Sequence, residues 1–178
     1  MLFEGETRSG KTALAAKLAL ESKYPFVKII SPEILLTQNE YEKIRTIVNI
    51  FEDAYKSELS LIILDDIERL IEYIHIGPRF SNHILQNLLT LIRRTPKNKL
   101  MIIGTTSNKH VLDSLDLADC FNVCMNVPNV RSQQDFYNLL KNYPIEDDIA
   151  QKISEELADL HSSEGVPIKN IILAIELS

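Results

Sequence analysis

The chain has 178 residues, 19 basic against 25 acidic, and a formal charge of −6, which fits one large domain, or one domain with a small appendage. Apolar residues at 45% and charged residues at 25% supply a sizeable core and exclude disorder as the main state. Its longest apolar stretches, such as residues 171–175 and, interrupted by Ser60, residues 59–64, fall far short of the roughly 20 residues that cross a bilayer.

Met1-Leu2-Phe3-Glu4-Gly5 lacks the basic start and long apolar region of a signal peptide, so a cytoplasmic location is expected. Leu2-Phe3 predicts a short strand, residues 5–10 a glycine-bounded loop, and the Ala/Leu-rich stretch 11–21 a helix. The β-branched run 26–30, closed by Ser31-Pro32, predicts a second strand. Over 41–55 the apolar spacing of Ile44, Ile47, Val48, Phe51, Ala54 and Tyr55 predicts a helix. Residues 61–64 are uniformly apolar and end in Asp65-Asp66, the pattern of a strand buried on both faces of a parallel sheet. A helix over 84–92, a strand over 100–103 ending in Gly104-Thr105-Thr106-Ser107, and a fifth strand over 121–127 follow. Beyond Val130 the strand signals stop, and three helices are predicted, near 132–140, 149–160 and 168–177.

Charge divides the chain at the same place. Residues 1–129 carry 15 Lys and Arg against 16 Asp and Glu, whereas residues 130–178 carry 4 against 9. A nucleic-acid binder needs a basic face, and neither part supplies one. Arg93-Arg94 ends a helical pattern, where cations complement the helix dipole. Cys120 and Cys124 have no companions to complete a zinc site, and both are read as ordinary thiols.

The most specific signal is Gly5-Glu6-Thr7-Arg8-Ser9-Gly10-Lys11-Thr12, which fits G-x-x-x-x-G-K-S/T at every fixed position between a predicted strand and a predicted helix. Such a loop aims backbone N–H groups at phosphate oxygens and places them at the positive end of the next helix. Nucleotide-binding positions are therefore Gly5, Glu6, Thr7, Arg8, Ser9, Gly10, Lys11, Thr12 and Ala13. Lys11 is expected to reach the β- and γ-phosphates of ATP and the Thr12 hydroxyl to ligate Mg²⁺, with Asp65 as the second metal residue. Asp66 stands where many ATPases place the carboxylate that polarises the attacking water. The alternative is that Asp66 and Glu68 cap the following helix. A GTPase would carry Asp-x-x-Gly after the metal strand and Asn-Lys-x-Asp for guanine. This chain has Glu68 and Asn108-Lys109-His110-Val111 instead.

With these features and the C-terminal helices, the sequence resembles an AAA+ ATPase module. Ser9-Gly10-Lys11-Thr12-Ala13-Leu14-Ala15-Ala16-Lys17, Ala54-Tyr55-Lys56-Ser57, Asp65-Asp66-Ile67-Glu68-Arg69-Leu70, Ile76-Gly77-Pro78-Arg79-Phe80-Ser81-Asn82 and Ile103-Gly104-Thr105-Thr106-Ser107 narrow the resemblance to the second ATPase domain of the vesicle-fusing, N-ethylmaleimide-sensitive ATPases. The likeness runs from Leu2 to the C-terminus and is more specific through Asn129.

The resemblance implies an α/β three-layer core with a five-stranded parallel sheet ordered 5-1-4-3-2 over residues 1–129, and a helical lid over 130–178. It further implies a hexameric ring of like subunits, a first ATPase domain in the same protein, and SNARE complexes reached through an adaptor for disassembly, with no direct membrane insertion. Because the chain starts on the loop strand, the preceding segment that helps hold adenine is expected to be missing from it. Ser107 takes a sensor position near the γ-phosphate where most relatives have Asn, and Lys169 takes the basic lid position that touches nucleotide. Residues 117–129, where arginine fingers are usual, contain no Arg or Lys, and Arg79 and Arg131 flank the stretch without matching the motif. The expected function is Mg-ATP-dependent assembly with slow hydrolysis, catalysis resting on Asp66 and Ser107. The alternatives are a competent ATPase motor that drives remodelling and, more remotely, a small-molecule phosphotransferase.

Overall fold

A computed structural model describes residues 1–77, 79–95, 97–161 and 163–177; Pro78 of the Ile76–Asn82 signature lies outside them. The chain forms two compact units, one of residues Met1–Gly5 and Lys11–Asn126, the other of Glu6–Gly10 and Val127–Ser178.

The first unit is an α/β sheet domain. Strands β1 (Leu2–Glu4), β2 (Phe26–Ile30), β3 (Leu59–Leu64), β4 (Lys99–Thr106) and β5 (Cys124–Asn126) make one parallel sheet in the order β2-β3-β4-β1-β5, the predicted order read from its other edge. Helices α1 (Lys11–Ser22), α2 (Glu40–Lys56), α3 (Ile67–Leu70), α4 (Asn82–Arg93) and α5 (Lys109–Ser114) fill the connections. All-parallel pairing requires such crossovers, and they bury the central strands on both faces. Five of the six β3 residues are buried accordingly. One of them is Ser60, and its hydroxyl donates to the Ala54 carbonyl at 2.8 Å, so its burial leaves no orphan donor.

Helix starts are fixed by side chains. Asn39 and Glu42 form a reciprocal capping box at α2, each bond 3.0 Å long. The Ser81 hydroxyl accepts from the Ile84 N–H at the start of α4. Leu2, Ile30, Phe51, Ile62, Leu64, Ile67 and Leu88 anchor the core.

Three differences from the sequence expectation have physical causes. β5 is three residues long rather than seven, and Ala118–Cys120 before it forms a 3₁₀ turn; the apolar signal at Phe121 comes from a loop side chain that is 9% exposed and packs into the core. β4 runs on through Gly104, Thr105 and Thr106, whose β-branched threonines suit a strand. Helices α3 and α5, of four and six residues, are too short to show a 3.6-residue period.

The second unit holds α6 (Gln133–Leu140), α7 (Asp147–Leu160) and α8 (Ile168–Glu176) around Phe136, Leu140, Ala150 and Ile171. Asp147 and Asp148 open α7, where carboxylates favour the helix dipole. Gly165 is required: its φ is +72°, and a Cβ there would come within 2.8 Å of the Val130 carbonyl. Among the described residues no helix is long and apolar enough to cross a membrane.

Candidate nucleotide-binding site

The C-terminal ends of β1, β3 and β4 lie side by side, because β4 pairs with both of the others. In open α/β sheets this edge is where ligands bind. It carries Gly5 just beyond β1, Asp65 and Asp66 just beyond β3, and Thr105, Thr106 and Ser107 at the end of β4. Helix α1 starts at Lys11 and contributes Thr12 and Ala13 from its first turn.

Asp65 is 8% exposed, and two hydroxyls satisfy one of its oxygens: Thr12 Oγ1 donates to Oδ1 at 2.8 Å and Thr105 Oγ1 at 2.7 Å. The cost of leaving a carboxylate unpaired at a buried strand end is thereby avoided. Thr105 is fully buried and works twice, since its Oγ1 also accepts from the Asp66 N–H at 2.9 Å. Lys11 is 5% exposed, and its ammonium donates to the Gly5 carbonyl at 3.0 Å.

Asp66 does not cap α3 with its side chain. It sits in the left-handed region at φ 50°, ψ 62°, a conformation that costs a non-glycine residue free energy and is tolerated best by Asn and Asp. Arg69 Nη1 stands 3.6 Å from its carboxylate. Burial, then the neighbouring Asp65 and Glu68 charges, push the Asp66 carboxyl above its usual range, with Arg69 and Lys11 opposing. Glu68 does not cap either. Its carboxylate accepts from the Thr106 hydroxyl at 2.8 Å and from the Ser107 N–H at 2.8 Å.

In the second unit, the loop residues have their own contacts. Arg8, at φ 71°, donates from Nη1 to Asn170 Oδ1 at 3.0 Å, and Glu6 accepts from Asn129 Nδ2 at 2.7 Å. Lys169 meets the loop through its backbone, its N–H donating to the Arg8 carbonyl at 3.2 Å, while its side chain is exposed. Gly10 has φ +97°, and a Cβ there would approach Ile168 Cγ2 to 3.1 Å, which accounts for glycine at this position. Ser9 is 5% exposed, and its hydroxyl has no partner among the described residues. Thr7 is exposed.

These groups suit a metal-bound nucleoside triphosphate chemically. A hydroxyl beside a carboxylate is an oxygen donor pair suited to Mg²⁺, and a near-buried ammonium suits phosphate oxygens. Sequence reasoning singled out Thr12, Asp65 and Lys11 but gave Thr105 no role and Glu68 none at the site beyond a possible helix cap. Thr105 lies within the Ile103–Ser107 signature, but a threonine in a strand signals β-propensity first and points to no partner.

A glycine-bounded loop after β1, a lysine and a threonine opening α1, and an acidic end to β3 in a parallel sheet of this order together define a phosphate-loop nucleotide-binding core. The chain belongs to the ATPase family associated with various cellular activities (AAA), which residues 1–129 match. The vesicle-fusing ATPase of Dictyostelium discoideum is 43% identical over 180 residues, covering 100% of this chain and 24% of that protein. The vesicle-fusing ATPase of Arabidopsis thaliana is 45% identical over 181 residues, covering 99% and 23%. Vesicular-fusion protein SEC18 of Saccharomyces cerevisiae is 40% identical over 179 residues, covering 99% and 24%. The chain thus spans about a quarter of the length of these curated relatives. Family membership implies ATP binding, with Mg²⁺ the usual metal.

Proposed function

We propose that this chain is the second ATPase domain of a vesicle-fusing ATPase, with residues 1–129 as its core and 130–178 as its lid, and that its main task is to bind Mg-ATP and hold like subunits in a hexameric ring. The first ATPase domain of the same protein would be its neighbour, and SNARE complexes, reached through an adaptor, the substrate that the whole machine takes apart. Its setting is cytoplasmic, at membranes only through partners. Similarity to vesicle-fusing ATPases over essentially all of this chain supports the assignment. The choice of the second domain rests on the residue signatures, Asp65-Asp66-Ile67-Glu68-Arg69-Leu70 above all.

The observation that carries the binding role is the Thr12–Asp65 contact at 2.8 Å beside near-buried Lys11. Thr12 and Asp65 would hold Mg²⁺, Asp65 directly or through water, and Lys11 and the N–H groups of residues 5–13 would hold the phosphates. The metal's contribution is to neutralise charge on the β- and γ-phosphates. Asp66 would orient and deprotonate water, Ser107 would face the γ-phosphate, and Lys169 would approach nucleotide from the lid. Slow turnover is supported by a short carboxylate at Asp66 and by the lack of any Arg or Lys over 117–129.

ATP turnover and oligomer size measured on one sample test the proposal. Nucleotide-dependent hexamers with slow turnover are expected. Rapid hydrolysis would favour a motor, and phosphoryl transfer to an added small molecule would favour a kinase.

A further inference from the structure

Glu68 belongs to neither the phosphate-loop pattern nor the metal pair, yet it makes two bonds from the β3 side of the site to the β4 side. Its Oε2 accepts from the Thr106 hydroxyl and its Oε1 from the Ser107 N–H, both at 2.8 Å. Thr106 in turn accepts from the Asn108 N–H at 3.0 Å, so the carboxylate reaches three consecutive residues of the β4–α5 turn, the last through a hydroxyl. Glu68 also sits two residues after Asp66, on the helix whose first residue follows that left-handed turn. Thr106 is fully buried and Glu68 half-buried, which shields the bonds from water. Helix capping does not explain this geometry, because both Glu68 oxygens face another strand rather than the N–H groups of α3. Nor is Glu68 an opportunistic surface contact: one oxygen takes a backbone donor that β4 pairing leaves over, and the other takes a buried hydroxyl that needs an acceptor.

We infer that Glu68 is a positioning residue that fixes the Ser107 turn relative to the Asp66 turn, setting the gap in which the γ-phosphate and its attacking water must fit. The inference rests on the ATPase reading above and adds a residue to it. Its physical basis is that two groups on separate strand ends can share one reacting centre only if something sets their separation. A displacement of about 1 Å in such groups can cost on the order of a hundredfold in rate. Such a loss falls on the transition state more than on ground-state binding.

The test uses E68A and E68Q in the whole chain, with three readouts. Amide exchange at Ser107 should be slow in the parent and in E68Q, whose side-chain carbonyl still accepts from the Ser107 N–H, and fast in E68A. Affinity for ADP with aluminium fluoride, a mimic of the transferring phosphoryl group, should fall about tenfold or more in E68A. ATP affinity should stay within about twofold in both variants, and E68Q should restore binding of the mimic. Protection of the Ser107 amide in E68A would show that the clamp does not hold it and would overturn the inference. So would equal losses of ATP and mimic affinity, the mark of a merely structural role, or failure of E68Q to rescue. A parent that binds ATP with unchanged mimic affinity in E68A refutes the inference alone. A parent that binds no ATP refutes the ATPase reading, and the inference falls with it.

Discussion

Thr12 Oγ1 donates to Asp65 Oδ1 at 2.8 Å, joining the first turn of α1 to the end of β3 across 53 positions of sequence. The two groups assigned to one metal ion are therefore already neighbours, so the ion would replace one hydrogen bond with coordination rather than assemble a site. Asp65→Asn should remove most of the gain in ATP affinity that Mg²⁺ provides, because the carboxylate charge is lost while the shape is kept. Thr12→Ala should remove part of it. Titrations with ATP in the presence and absence of Mg²⁺ check both. A parent whose ATP affinity ignores Mg²⁺ would contradict the two assignments.

Thr105 holds that same oxygen from the other side and accepts from the Asp66 N–H. Thr105→Val keeps the volume and deletes the hydroxyl, leaving a buried carboxylate short of one donor and a backbone N–H without its acceptor. Each unsatisfied group costs about 1–3 kcal/mol, so denaturant unfolding should show a clear loss of stability in this variant. Thr105→Ser should recover most of it. A Val variant as stable as the parent would mean that water takes over both bonds.

Lys11 packs against the Gly5 carbonyl at 3.0 Å, with 5% of its surface exposed. An ammonium carries three donors, and phosphate oxygens are stronger acceptors than a neutral carbonyl. Lys11→Ala should weaken ATP binding by about 1.5–3 kcal/mol, or about ten- to a hundredfold. If assembly follows nucleotide, the same variant should shift sedimentation toward monomer. Unchanged ATP affinity would remove Lys11 from its role.

Asp66 pairs a destabilised charge with a strained backbone. Its carboxyl is pushed up by burial first and by Asp65 and Glu68 second. A folded-state pKa above the unfolded value of 3.8 means that the native state takes up protons more readily than the unfolded chain. Stability is therefore lost as pH rises from that value through the folded one, and the loss persists at neutral pH. Asp66→Asn removes the charge and keeps a side chain at ease in the left-handed region. Thermal melts should show a higher Tm for the variant at pH 7 and no such gain below about pH 3.8. ATP turnover should fall in the same variant.

What the sequence revealed and what it withheld divide along physical lines. The loop at Gly5–Thr12, the Asp65-Asp66 strand end and the strand–helix alternation were legible because each follows from local chemistry: a backbone curl that needs glycine, a charge that needs a ligand, an apolar period. Strand order was legible only through family resemblance, since nothing in the residues of β2 or β5 states which neighbour each will have. Thr105 and Glu68 stayed hidden because their partners lie 40 and 39 positions away or thereabouts in sequence, and a threonine or a glutamate reads the same with or without such a partner. The backbone contact of Lys169 with Arg8 was hidden for a further reason: a main-chain donor carries no residue identity at all.

Slow hydrolysis is the sharpest expectation. Asp66 carries its carboxylate one methylene nearer the backbone than a Glu at this position would, a retreat of about 1.5 Å, one carbon–carbon bond. A shift of about 1 Å can cost on the order of a hundredfold. Its raised pKa makes it a better base, but a base out of reach gains nothing from basicity. No Arg or Lys lies in residues 117–129, and an arginine finger contributes roughly 10³ to 10⁵ in rate. These deficits act on the transition state and leave ground-state binding intact, so tight ATP binding with slow turnover is expected for assembled copies of this chain. Asp66→Glu separates the two causes. If reach is limiting, the longer carboxylate should raise kcat with little change in KM, even though Glu suits the left-handed backbone less well and should lower Tm. If kcat does not rise, the missing cation is the dominant deficit, and an added neighbour domain should accelerate turnover where Asp66→Glu does not. Turnover near the enzyme median of about 10 s⁻¹ in the unmodified chain would defeat the slow-hydrolysis proposal and favour a motor.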